Sequence, residues 1–301
     1  MTPGLAAQTA CLMEATARKP GNVHRFADFS DATYFDFAMS ALAIGPAMEA
    51  AGTIGVGRAV ISALTATRAV TGTNTNLGML LLLAPLAVVT AGRALRAGVA
   101  AVLEATTIED ADLVYQAIRL ANPGGLGAAA EQDVAGRPTC TLKEAMRLAA
   151  DRDVIARQYV LDFQDVFDVT LAALGESLAI TADVETAVVR CHLCTMAAIP
   201  DTLIARKLGA TEALESSTRA LAVLDAGWPD TERGRRLFDD FDGWLRGLGR
   251  SRNPGATADL VAAALFVALR DGTIRFPLGV GGPPWTASPL ELNEFPPVRS
   301  G

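Results

Sequence analysis

Leu77-Gly78-Met79-Leu80-Leu81-Leu82-Leu83-Ala84-Pro85-Leu86-Ala87-Val88-Val89-Thr90-Ala91 is the most strongly apolar stretch of the chain, and its length decides between two kinds of fold. As an α-helix rising 1.5 Å per residue it spans about 22 Å, against roughly 30 Å of bilayer hydrocarbon. It also carries Pro85. A buried core helix is therefore expected, and no membrane partner. Apolar segments of helical period recur on both sides of it, punctuated by Gly, Pro and Asn, with no alternation of strands and helices.

Composition points the same way. Of 301 residues, 50% are hydrophobic but only 6% aromatic, and alanine occurs 56 times. Alanine has the highest helix propensity and lets helix axes approach closely, whereas a β fold draws on branched and aromatic side chains. The expected fold is all-α: a single compact multi-helix domain over residues 1–272, with an extended tail, 273–301, packed on it. Helices are predicted over 5–18, 31–51, 56–70, 76–96, 110–121, 141–150, 153–179, 183–198, 201–208, 210–226, 231–248 and 256–271. Asp31, Asp110 and Asp183 are expected caps, and Gly209, Gly227 and Gly272 expected stops. The Gly-rich stretch Asn122 to Arg137 is expected to be irregular. A net charge of -7 argues against polynucleotide partners, which need a basic surface. Four cysteines and no leader-like amino terminus predict a reduced, cytoplasmic protein, and the alanine-rich faces are compatible with a homodimer.

Four polar runs interrupt this background. Thr71-Gly72-Thr73-Asn74-Thr75-Asn76-Leu77-Gly78 precedes an apolar helix, and glycines with small polar side chains there allow backbone N–H groups and the helix amino terminus to meet a phosphate. A helix cap at Thr75 or Asn76 would explain the same residues without a ligand. Glu14 is followed by Arg18-Lys19-Pro20-Gly21-Asn22-Val23-His24-Arg25, a basic turn that reads as a local anion site or as a solvated turn. Pro200-Asp201-Thr202 opens a short helix bearing Arg206 and Lys207. Asn253-Pro254-Gly255-Ala256-Thr257-Ala258-Asp259-Leu260 places an acid in the first turn or so of the last helix, where it also complements the helix dipole. Other signals fail: Gly52, Gly55 and Gly57 follow GxxGxG rather than GxGxxG, Cys191 and Cys194 form a lone CxxC, and neither a GxSxG elbow nor a phosphate-binding GxxxxGK[ST] loop is present.

In this order, Glu14, the Lys-Pro-Gly-Asn-Val-His run at 19–24, Gly-Thr-Asn-Thr-Asn-Leu-Gly at 72–78, Asp-Thr at 201–202 and Asn-Pro-Gly-Ala-Thr-Ala-Asp-Leu at 253–260 resemble the triphosphoribosyl-dephospho-CoA synthase family over about residues 8–271. The resemblance implies an all-helical transferase that moves the 5-triphosphoribosyl group of ATP to an acceptor hydroxyl, 3'-dephospho-CoA in the best-known members, with release of adenine. Where the citrate-lyase branch carries a histidine and a cation, this chain has Leu77-Gly78. The run looks more like the branch of archaea and some methylotrophic or planctomycete bacteria. A tetrahydromethanopterin-type ribityl hydroxyl is therefore an alternative acceptor. Less favoured alternatives are a non-catalytic helical nucleotide-binding protein and an ADP-ribosyl hydrolase; the latter lacks its clustered, threonine-flanked Asp-Asp pair here.

The transition state of such a transfer resembles an oxocarbenium ion, and inversion at C1' calls for a base opposite the leaving adenine. Glu14 is the first nominee, with Asp201 and Asp259 as alternatives; the acids not so used are candidates to hold Mg²⁺ on the triphosphate. Arg18, Lys19 and Arg25, with Gly21, Asn22 and His24 in their turn, are the expected phosphate ligands. Gly72, Thr73, Asn74, Thr75, Asn76, Gly78, Thr202 and Gly255 are expected to cradle phosphate or ribose.

Overall fold

A computed structural model describes residues 1–123, 131–181 and 183–276. Among them are fifteen α-helices, one π-helical turn, two isolated bridges and no strand, as an all-α reading requires. Two helices make the centre. α5 (Leu77–Val88) buries every residue except Gly78 and Val88, and α15 (Gly255–Arg270) buries every residue from Ala256 to Leu269 except Asp259. Leu80, Leu82, Leu83 and Leu265 are fully excluded from solvent. Each contributes about 1.5–3 kcal/mol by leaving water. Alanines at 262, 263, 264 and 268 let the neighbouring helices close on α15 with no gap for large side chains.

Around this pair, α1 (Pro3–Thr16) packs on α15 and on α2 (Tyr34–Ala43) and α3 (Gly45–Ile54); α4 (Val56–Val70) packs on α5 and α7 (Ile108–Ala121). α11 (Val184–Ala198) joins α10 (Leu171–Ile180), α13 (Ala210–Asp225) and α15, and α14 (Glu232–Arg246) packs on α13. α6 (Leu95–Glu104), α8 (Leu142–Arg147), α9 (Val154–Val160) and α12 (Thr202–Leu208) complete the set. Tyr34–Ile54, counted as one run, has the length and hydropathy of a membrane span. In the fold it lies against α1, α4 and α5 through Ser40, Ala41, Met48 and Ala51.

The helix over 56–70 appears with the predicted bounds, and, the 153–179 segment apart, those from 108 onward start and stop within a few residues of expectation. Three long predictions split. The 31–51 segment breaks at Ile44, because Pro46 lacks a backbone donor and is suited to the first turn of a new helix. The 76–96 segment ends at Val88, Gly92 adopts φ +83°, and a helix absent from the reading, α6, begins at Leu95. The 153–179 segment becomes α9, the π-helical turn Asp165–Thr170 and α10, with positive φ at Asp162 and Phe163 between them. Burial of the Phe163 ring holds that turn.

Two expected caps move. Thr33 and Thr107 cap α2 and α7, each in a reciprocal box with Asp36 or Asp110 three residues on. Asp31 instead pairs with Arg250 at 2.8 Å. Asp183 does cap α11, and Gly209, Gly227 and Gly272 stand at positive φ where helices stop. Residues 277–301, most of the predicted tail, and 124–130 of the Gly-rich loop lie outside the described residues.

Candidate active site

A cleft of about 1310 Å³ opens over the amino-terminal ends of α5 and α15. Its sides come from α7, α8, α9, α12 and α13 and from the 71–76 loop. At its inner end lie Glu14 of α1, Gly78 of α5 and Asp259 of α15. A β-carbon on Gly78 would land on the Asp259 carboxylate, so only glycine leaves that acid its place. The Met79 backbone N–H lies close enough to Asp259 to oppose, in part, the rise of its pKa.

Glu14 is buried and pairs with Lys19, Nζ to Oε1 at 2.9 Å; Lys19 is itself fully buried and also donates to the carbonyls of Glu14 and of Ala17, the latter at 3.3 Å. Burial raises the Glu14 pKa above the ordinary carboxylate value while Lys19 opposes the rise. Asp259 is pushed well above its ordinary value, by burial first and then by the charges of Glu14, Asp201 and Asp153.

The polar run of residues 71–78 is held from behind. Thr71 Oγ1 donates to Asp36 at 2.9 Å, Thr75 and Ser40 share a hydrogen bond of 2.6 Å, and Asn76 Nδ2 donates to Thr67 at 3.0 Å. Asn74 Oδ1 accepts from the Leu77 N–H at 3.2 Å, so Asn74 does the capping expected of Thr75 or Asn76. Gly72, Thr73, Asn74, Thr75, Asn76 and Gly78 all line the cleft. On the facing loop, Asn22 Nδ2 donates to Asn253 Oδ1 at 2.7 Å. The amide oxygens of Asn22 and Asn76 are buried with no donor among the described residues. An orphaned buried acceptor costs about 1–3 kcal/mol, so two of them in one cleft favour a ligand rich in N–H or O–H groups.

The basic turn is placed differently from expectation. Among its candidates only Asn22 reaches the cleft. Arg18 is exposed and 3.9 Å from Asp239, and Arg25 pairs with Glu185 at 2.6 Å while stacking on Phe26. Lys19 is consumed by Glu14. Gly21 adopts φ +73°, and its N–H donates to Asp242 at 2.7 Å, which ties the turn to α14. His24 is buried, its Nδ1 accepts from the Phe26 N–H at 3.2 Å, and burial and the Arg246 charge lower its pKa to about 4. It is therefore neutral and unsuited to a phosphate.

Asp201 does not face the cleft either. Its Oδ1 accepts from the N–H groups of Leu203 and Ile204 and its Oδ2 from the N–H and hydroxyl of Thr257. Thr202 and Gly255 do line the cleft; Thr202 Oγ1 accepts from the Val154 N–H at 3.2 Å. Among the described residues no three His, Cys, Asp or Glu side chains converge as a metal cage, so Glu14, Asp201 and Asp259 do not form one.

Among the described residues six cations line the cleft: Arg68, which donates to the Gly72 carbonyl beside the polar run, Arg152 and Arg157, and a group formed by Arg206, Lys207 and Arg250. Lys207 Nζ donates to the Arg250 carbonyl at 2.9 Å, Arg250 pairs with Asp31 at 2.8 Å, and Arg206 pairs with Asp153 at 3.2 Å. Burial, and next the Arg250 charge, lower the Lys207 pKa. A half-buried ammonium beside two guanidiniums, with Asp201 and Asp31 opposing their charge and a carbonyl as its hydrogen-bond acceptor, is suited to an anion. In sequence, Arg206 and Lys207 are legible as part of the helix after Asp201-Thr202, but their place in the cleft is not. The available signal was two basic residues one turn after Asp201-Thr202, with Arg250 three residues before Asn253.

Comparison with known proteins bears on the same region. The family model for CitG, ATP:dephospho-CoA triphosphoribosyl transferase, matches residues 1–276. A protein of Pseudomonas syringae pv. tomato, assigned as a 2-(5''-triphosphoribosyl)-3'-dephosphocoenzyme-A synthase, is 29% identical over 154 residues. That match covers 45% of this chain and about half, 52%, of the relative's length. A crystal structure from Archaeoglobus fulgidus, assigned to triphosphoribosyl-dephospho-CoA synthase, superposes with a TM-score of 0.60 at 26% identity, covering 77% of this chain and 98% of that one.

Proposed function

The chain belongs to the CitG family of ATP:dephospho-CoA triphosphoribosyl transferases, and from that premise we propose that it moves the 5-triphosphoribosyl group of ATP to a hydroxyl of 3'-dephospho-CoA, releasing adenine. The observation that carries this reading is one cleft with a carboxylate pair at its inner end and a cation cluster on its side. Sites for a single small molecule have roughly 300–1,000 Å³. At about 1310 Å³ the cleft has room for a donor and an acceptor together, as a direct displacement at C1' requires.

Lys207, Arg250 and Arg206 bind the triphosphate, in the part first given to Arg18, Lys19 and Arg25. Thr73 to Gly78 and the orphaned oxygens of Asn22 and Asn76 meet the ribose hydroxyls and the base. Glu14 takes the proton of the acceptor hydroxyl. Its partner Lys19 keeps it ionised until it does so. Mg²⁺ bound to a triphosphate needs only one or two protein carboxylates, and Asp31 and Asp153, beside the cations, are placed to supply them. Mg²⁺ there would neutralise phosphate charge; the ribosyl chemistry belongs to Glu14 and Asp259.

Incubation with Mg·ATP and 3'-dephospho-CoA, followed by chromatography of adenine and mass spectrometry of the adduct, tests the reading. Stoichiometric adenine and triphosphoribosyl adduct are expected. Adenine formed only with another alcohol moves the acceptor, and none with dephospho-CoA or with a ribityl acceptor overturns the reading.

A further inference from the structure

One positive charge serves two carboxyl groups at the inner end of the cleft. Among the described residues Lys19 pairs with Glu14 and with no other acid. Asp259 has no cation within ion-pair distance among the described residues, and Glu14 is near enough for its charge to raise Asp259 and for both charges to add to the burial that raises Cys11. The remaining charged groups that Asp259 feels, Asp201 at the start of α12 and Asp153 at the start of α9, are acids too. Two carboxylates cannot both ionise against one ammonium in a largely buried site without a large electrostatic penalty. Contact with Lys19 assigns the ionised form to Glu14.

Position gives the other acid its task. Asp259 is the one residue between Ala256 and Leu269 of the central helix that keeps part of its surface exposed, because it lines the cleft. The bare Cα of Gly78 makes its space. Adenine leaves an oxocarbenium-like centre poorly as an anion and readily as a neutral base, so the displacement needs an acid as well as a base.

Resting on the function proposed above, we propose that Asp259 carries a proton at neutral pH and delivers it to the departing adenine while Glu14 accepts the proton of the attacking hydroxyl. The C1'–N9 bond breaks with its electron pair going to the adenine ring, and a ring nitrogen takes the Asp259 proton. An oxygen lone pair of the acceptor forms the new bond to C1', and that oxygen's proton passes to Glu14. Transfer of one proton from Glu14 to Asp259 afterwards restores both groups, so the cycle needs no other co-reactant.

The experiment compares wild type with Asp259→Asn on two donors: ATP, and its N7-methylated analogue, whose base departs neutral without a proton. The variant is expected to lose about 10²–10⁴-fold in kcat with ATP, to stay within a few-fold of wild type with the methylated donor, and to bind ATP unchanged by calorimetry. Equal losses on both donors, or full activity on ATP, would overturn the assignment. Infrared difference spectra supply a readout that needs no turnover: a protonated carboxyl stretch at pH 7 present in wild type and in Glu14→Gln but missing from Asp259→Asn. If wild type lacks that band, the proposal fails whatever the reaction is. If the band is present but ATP yields no adenine with any acceptor, the proton stands on Asp259 and the transfer role falls together with the proposed function.

Discussion

Asp201 and Thr257 join two helix starts through one carboxylate. Oδ2 of Asp201 accepts from both the N–H and the hydroxyl of Thr257, at 2.8 Å each, while Oδ1 caps α12 through Leu203 and Ile204. The carboxylate is buried, and four donors offset its desolvation. Asp201→Ala is expected to cost about 3–5 kcal/mol, since it orphans donors at two helix amino termini. Asp201→Asn, whose amide nitrogen cannot accept, is expected to lose roughly half as much. Urea unfolding reads both. Variant protein that remains folded should turn over ATP within tenfold of wild type, and a much larger loss of kcat at unchanged stability would return Asp201 to the chemistry.

The same residue shows what the sequence could and could not say. Asp201-Thr202 was legible as a helix start, and 253–260 as another, because caps and turn residues act locally. That one acid serves both starts depends on α12 and α15 meeting across 56 residues of chain, which no local pattern encodes. The basic turn is dispersed for the same reason. Arg18, Lys19 and Arg25 form one cluster along the chain, but the fold sends Lys19 inward to Glu14 and the two arginines outward to Asp239 and Glu185. The Thr71 to Gly78 loop was easier to read, since its glycines and small polar side chains stand out against two apolar helices. α6 escaped because Thr90 to Ala94 interrupts an alanine-rich stretch with a break that weak periodicity did not reveal.

Gly78→Ala separates the site from the fold. The added methyl must displace the Asp259 carboxylate, a flexible end, so the stability loss is expected at about 1–3 kcal/mol. Adenine release should drop at least a hundredfold because the acid is moved from its place. Wild-type turnover in Gly78→Ala would mean that the Asp259 position does not matter.

Lys207→Ala and Arg25→Ala distinguish the two cationic regions. Removing a charge-assisted hydrogen bond to phosphate costs about 1.5–3 kcal/mol, so Lys207→Ala should weaken ATP binding by about ten- to a hundredfold. Arg25 spans the surface between Glu185 and Phe26, and its loss should leave ATP affinity unchanged and stability within about 0.5 kcal/mol. Isothermal titration calorimetry at two salt concentrations checks both, with the Lys207 effect shrinking as salt rises. The reverse ranking would restore the basic turn as the phosphate site.

His24 predicts a pH signature in stability. Its folded pKa of about 4 lies below the ordinary value of 6.5, through burial first and then the charges of Arg246 and Lys19. The unfolded chain therefore binds the extra proton first. The neutral-His contribution is fully present above about pH 6.5 and is lost as pH falls toward about 4. Raised acids such as Glu14 and Asp259 work in the opposite direction, so the total slope is mixed and the informative quantity is a difference. The stability gap between wild type and His24→Asn, measured by urea unfolding, should shrink on going from pH 7.5 to pH 4.5. A constant gap would show that the fold does not depress the His24 pKa, and a gap that widens on acidification that the fold favours its protonated form, so that the turn carries a cation after all.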